Sequence, residues 1–118
     1  MRVPSKTPLE PIVGKPLAAV IFIMDYIQLQ FDGGLILTAV TLPTVEVAGR
    51  VVSFGEQEYR DELCARIGKV PTDATARGGE EIKIVFSDGS KVSISLRPED
   101  RRGAEAAILG DGSRTWTR

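Results

Sequence analysis

Residues 81–100 read EIKIVFSDGSKVSISLRPED. Ile82, Ile84 and Phe86 share one face of a strand; Val92, Ile94 and Leu96 share one face of the next, with Lys91, Ser93 and Ser95 opposite. A two-residue Asp88-Gly89 turn would pair Phe86 with Lys91 and Ile84 with Ser93, mixing apolar and polar side chains on one face. A three-residue loop, Ser87-Asp88-Gly89, pairs Phe86 with Ser90, Ile84 with Val92 and Ile82 with Ile94, so both apolar rows coincide. That loop is a type I turn followed by a G1 bulge, which requires a left-handed residue in third place, and Gly89 stands there.

Residues 26–45, YIQLQFDGGLILTAVTLPTV, obey the same rule. The loop Asp32-Gly33-Gly34 pairs Leu29 with Leu37 and Ile27 with Ala39, and Gly34 takes the left-handed place. At an offset of 55, Ile27 meets Ile82, Phe31 meets Phe86, Gly34 meets Gly89 and Pro43 meets Pro98. Upstream, Val13-Gly14-Lys15 answers Ile67-Gly68-Lys69 at offset 54, so the second copy holds one extra residue; Gly55 answers Gly110 at 55 again. A period this long with two copies does not suit a solenoid. It predicts two copies of one supersecondary unit sharing a core.

Outward from the hairpins, the chain reads as one domain, residues 1–118. Residues 1–10 are predicted to be an extended arm, 11–55 repeat one, 56–67 a helix, 66–110 repeat two, and 111–118 a C-terminal edge strand carrying Trp116. Leu17 to Met24 is apolar on both faces and rich in branched side chains, which predicts a central strand. Val45–Phe54 holds one or two short strands around Ala48-Gly49. In the helix, Tyr59, Leu63 and Ile67 recur on one face, Glu56 and Glu58 favour its positive end, and Gly68 suits the C-cap. Val70–Ala76 is a poor strand. Pro98–Leu109 is predicted to be a second short helix, weakened by Gly103. The expected fold class is α+β: a mostly antiparallel sheet or half-open barrel with one or two helices.

Composition bounds the chemistry. The 118 residues carry 15 Lys and Arg against 16 Asp and Glu, a net charge of −1, and no histidine. Histidine-dependent nucleophilic catalysis, His bases and His-ligated zinc are thereby excluded. Cys64 is the only cysteine, so neither an intrachain disulfide nor CxxC chemistry is available. No phosphate-loop or GxGxxG motif occurs, and neither half has the field of a nucleic-acid or membrane-surface binder. The longest apolar run falls well short of the roughly 20 residues of a membrane span. The proline-rich start does not read as a secretory signal, so a cytoplasmic setting is expected. No cofactor, no metal site and no catalytic residue are predicted.

Cys64 beside the helix stripe reads as a small buried hydrophobe. Asp32 and Asp88 read as turn formers rather than cation ligands. Glu80-Glu81 and Glu99-Asp100 read as solvated pairs. Arg97, Arg101 and Arg102, with Lys83 and Lys91, are candidates for an anion site, although Glu99, Asp100 and Glu105 are interspersed and favour a salt-bridged surface. The outer faces of the hairpins differ. Lys91, Ser93, Ser95 and Arg97 are answered in the first copy by Ile36, Thr38, Val40 and Leu42. Three aliphatics on an outer face need a cover: the helix, the N-terminal arm, or another subunit. Ile36, Val40 and Leu42 are therefore the candidate interface of a homodimer.

The two strand, Phe-x-Asp/Gly-Gly, strand segments, over roughly 11–45 and 66–100, resemble a pattern met in small bacterial proteins, some toxin-neutralising immunity proteins among them. The resemblance implies an immunity-like role as one alternative. The residues themselves favour a non-catalytic, self-associating interaction module, with a small-ligand or anion-binding domain using an arginine-lined cleft as the other alternative.

Overall fold

The structure, a computed structural model, describes residues 9–101, 105–110 and 115–117. Its strands are β1 (Leu17–Ile23), β2 (Tyr26–Phe31), β3 (Ile36–Ala39), β4 (Thr44–Val47), β5 (Arg50–Val52), β6 (Pro71–Arg77), β7 (Glu81–Phe86), β8 (Lys91–Ser95), β9 (Ala107–Gly110) and β10 (Thr115–Thr117). One short helix, α1 (Tyr59–Cys64), and two single 3-10 turns, Glu10–Ile12 and Pro98–Asp100, complete the described elements. Residues 1–8 of the predicted arm, Arg102, and residues 111–114 and 118 of the predicted C-terminal strand lie outside the described residues.

The strands form two antiparallel five-stranded sheets, ordered β1-β2-β3-β9-β10 and β5-β4-β8-β7-β6. Both hairpin registers match the sequence expectation: Ile84 pairs with Val92 and Ile82 with Ile94, Leu29 with Leu37 and Ile27 with Ala39. Gly34 and Gly89 have φ of +91° and +87°. The loops differ in one respect. Gly33 also has positive φ (+89°), whereas Asp88, 55 residues on, does not.

The two meanders agree further. The β1–β2 pairing slips between Leu17 and Ala19, and the β6–β7 pairing slips between Pro71 and Asp73. Asp32 N–H donates to Pro16 O, and Ser87 N–H to Val70 O. The extra residue of the second segment sits in the turn before β7: Met24-Asp25 link β1 to β2, whereas Gly78-Gly79-Glu80 link β6 to β7. Each meander then sends its next strands across. β4 pairs with β8, and β9 pairs with β3. Gly55 and Gly110, matched in sequence, do not correspond: Gly55 follows β5 at φ +98°, while Gly110 ends β9 opposite Ile36.

The inner faces of both sheets make one core, with Leu29, Leu37 and Leu109 from the first and Ile82, Ile84, Ile94 from the second. Tyr59 and Leu63 of α1 join it at one end, and Leu9 and Ile12 of the first 3-10 turn are also buried within it. Each such side chain is worth about 1.5–3 kcal/mol when withdrawn from water. Backbone bonds from Gly14 N to Pro71 O, Leu17 N to Lys69 O and Gly68 N to Leu17 O tie the entry of β1 to the entry of β6.

Four expectations are corrected. β1 is an edge strand, not a central one; its second apolar face belongs to the outside of the first sheet. The helix is six residues rather than twelve. Glu56 is drawn into a turn, accepting from Ser53 N–H at 2.6 Å, and past Cys64 the bonds tighten to i→i+3, leaving Ile67 exposed. The predicted second helix over 98–109 is a 3-10 turn followed by strand β9. Ala107 and Leu109 alternate inward there because the open edge of β3 offers a ladder. β6 is a full seven-residue strand despite its weak composition, since Ala74 and Ala76 face inward against Ile84 and Ile82.

Candidate interaction surface

Strand parity decides what each sheet shows to the outside. The outer face of the second sheet holds Asp73 and Arg77 on β6, Glu81 and Lys83 on β7, Lys91 on β8 and Glu46 on β4. Lys83–Glu81 (3.5 Å) and Lys91–Glu46 (4.0 Å) pair there. This is a solvated sheet face.

The outer face of the first sheet contrasts with it. β1 contributes Ala19, Ile21 and Ile23, and β2 contributes Tyr26, Gln28 and Gln30. Ile36 and Thr38 follow from β3, and Ile108 and Gly110 from β9. Thr117 of β10 lies in the same row as Ile108. No charged side chain occupies this face among the described residues, and Gln28 Nε2 donates to Thr38 Oγ1 within it (3.4 Å). Ile36 lies where the sequence placed it. Val40 follows β3 and is half-buried, with its N–H bonded to Ala106 O. Leu42 packs against the core as the chain crosses to the second sheet, so intrachain contacts cover part of it.

The end of the first sheet at the β1–β2 turn carries an apolar cleft of about 210 Å³. Phe22, Ile23, Met24, Ile27, Leu42 and Phe54 line it together with Arg60, the one charged residue. Arg60 of α1 holds its guanidinium carbon 5.9 Å from the centre of the Phe22 ring. Phe54 stands edge-on to Tyr59 with centroids 5.7 Å apart. Tyr59 is buried, its hydroxyl donates to Pro43 O (2.5 Å), and burial pushes its phenol well above the ordinary value. That bond anchors α1 to the crossing between β3 and β4. Outside it, Arg50 bridges Glu58 (3.0 Å) and Glu62 (3.3 Å).

A second cleft, of about 290 Å³, lies on the second sheet. Arg97 lines it, but so do Glu80, Glu81 and Asp100. Arg101 is exposed and is not part of the lining, and Arg102 lies outside the described residues. Asp100 accepts from Ser95 Oγ, and Arg97 N–H donates to the same hydroxyl (3.2 Å). Of the grouped arginines, Arg97 is the one that lines this cleft among the described residues, and it shares the lining with three carboxylates.

Sequence reasoning missed Arg66. It is only 5% exposed, lies two residues past α1, and reaches Asp88 of the second hairpin loop (3.4 Å) and Glu62 (3.9 Å). Asp88 is also held by Ser90, whose hydroxyl and N–H both donate to Oδ1. The Ser90 hydroxyl does most to hold the Asp88 carboxyl below its usual value; desolvation opposes it, and the Ser90 N–H and the charges of Arg66 and Lys69 add to the lowering. The expected turn-forming role of Asp88 is therefore joined by an ionic one. Arg66 Nε is buried without a hydrogen-bond partner, and so is Thr41 Oγ1. Cys64 is exposed rather than buried, because Leu63 takes the inward place on this short helix.

Among the described residues no His, Cys, Asp and Glu group is placed to hold a metal ion, and no helix is long and apolar enough to cross a membrane. No family model, no curated protein and no solved structure matches the chain.

Proposed function

We propose that the chain is a non-catalytic interaction module that binds a second copy of itself through the outer face of its first sheet, with Ile36 and Val40 in the contact. One observation supports this reading above the others: two sheets of the same size differ in outer charge, one carrying six charged side chains and the other none among the described residues. A twofold interface brings a surface against its own image, so any charge near the axis meets itself. An uncharged face suits that geometry better than it suits a charged partner.

The same reading takes β1–β5 and β6–β10 as two copies of one five-strand unit that exchange their last two strands. Support comes from the shared registers, the shared slip before the third residue of β1 and β6, and the reciprocal crossings of β4 and β9. If the backbones are copies, charge on one outer face and its lack on the other reflect different surroundings rather than different architecture.

Strands about 4.8 Å apart, rising about 3.3 Å per residue, give the face a flat footprint on the order of 400 Å². That is about half of the ~800 Å² per partner in a standard interface. The dimer is therefore expected at micromolar concentrations, and sedimentation equilibrium across that range tests it. Ile36→Glu and Val40→Glu are expected to give folded monomers. A wild-type chain that stays monomeric throughout, or variants that dimerise like wild type, would overturn the reading.

A further inference from the structure

We propose that the apolar cleft at the β1–β2 turn receives the Met24–Asp25 turn of a second copy of this chain, with Asp25 of each copy paired to Arg60 of the other. This rests on self-association and supplies contact that the sheet face alone lacks.

The cleft lies below the roughly 300 Å³ at which small-molecule pockets begin, so it suits a side chain rather than a free ligand. Its one charge is Arg60, which no carboxylate pairs among the described residues. The occupant should therefore present an apolar side chain next to an acid. The chain carries that pair at the cleft's own rim. Met24 is 90% exposed, the most exposed large apolar side chain among the described residues, and it projects from a two-residue turn closed by Ile23 opposite Tyr26. Asp25 follows it, exposed and without an ion pair among the described residues.

Knob and hole thus carry opposite unpaired charges and sit side by side on one surface, as an isologous contact requires: residue 25 meets residue 60 of the other copy, and the reverse. Ile23 joins the two regions, since it lines the cleft and also belongs to the uncharged outer face. Around the β1–β2 turn the two apolar surfaces are continuous.

Charge exchange tests the pairing by sedimentation equilibrium on the full chain, with circular dichroism to verify folding. Asp25→Arg and Arg60→Glu alone should each raise the dimer dissociation constant by about tenfold or more, because each places like charges together twice per dimer. The double variant D25R/R60E should restore wild-type affinity. Met24→Ser, which leaves both charges in place, should weaken the dimer as well. If Ile36→Glu dissociates the dimer while both single reversals leave it unchanged, the cleft pairing is wrong and the sheet-face reading stands. If the singles weaken it and the double variant fails to recover, the pairing is equally wrong. A dimer sensitive to the reversals but not to Ile36→Glu would keep the cleft and remove the sheet face. Monomer at every concentration removes both.

Discussion

Gly89 decides how the second hairpin closes, and nothing crowds it. Its φ is +87°, and no atom lies within 4 Å of where a Cβ would stand. The cost of Gly89→Ala is therefore conformational alone, about 1–2 kcal/mol for an L-residue held left-handed. Gly89→Asn should cost less, because asparagine tolerates that region; chemical denaturation of the two variants checks the order. Asp88, one residue earlier, sets a pH dependence. Its folded carboxyl titrates below the unfolded value of ~3.9, so its contribution is complete above that pH and is lost as pH falls through the lower folded value. Asp88→Asn should flatten the acid limb of the stability curve. Arg66→Met should cost less than Asp88→Ala, because the first leaves a partly exposed carboxylate still held by Ser90, and the second leaves a buried guanidinium, its Nε already without a partner, with only the longer 3.9 Å contact to Glu62. The glycine and the turn were legible in sequence because a hairpin loop is set by residues a few positions apart. The Arg66–Asp88 pair spans 22 positions, and nothing local marks it.

At the scale of elements, local pattern succeeded where the partner was the next strand and failed where it was distant. β2 with β3 and β7 with β8 follow from alternation alone. β9 does not, because AAILG suits a helix end as well as a strand until β3 presents an open edge. β1 shows the limit of reading burial from composition: both faces are apolar, yet only Leu17, Val20 and Phe22 meet the core, and the outer row carries the interface reading instead. For the same reason the aliphatic row at Ile36 was visible in sequence, whereas the cleft beside it, built from β1, the β3–β4 crossing, Phe54 and α1, was not. The short helix depends on tertiary anchoring, since six residues cannot sustain themselves in water. Tyr59→Phe removes the hydroxyl bonded to Pro43 O and leaves that buried carbonyl unsatisfied, which should cost about 1–3 kcal/mol in thermal or chemical unfolding. Above pH ~10, the ordinary phenol value, the wild type should lose stability that Tyr59→Phe does not, because burial holds the Tyr59 proton in the folded state.

For the whole molecule, the crossings matter more than either sheet. β3 reaches β4 through Val40–Pro43, and β8 reaches β9 through residues 96–106, so each three-stranded meander is completed by strands from the other half of the chain. Residues 9–55 without the rest would expose the edge of β3 where β9 belongs, and would leave β4 and β5 with no sheet to join. Residues 56–117 would expose β8 and orphan β9 in the same way. Neither half can close its own core, since the inner faces of both sheets form one cluster. Unfolding is therefore expected as a single transition, with fluorescence and circular dichroism midpoints coinciding. Cutting the chain between Gly55 and Glu56 gives the sharper measurement. That position lies in an exposed turn outside every strand. The separate fragments should be unstructured by circular dichroism, and mixing them should recover the spectrum of the intact chain, because the contacts between halves replace the covalent link. A fragment 1–55 that folds alone would show that its meander does not need β9, and would remove strand exchange as the basis of the shared core.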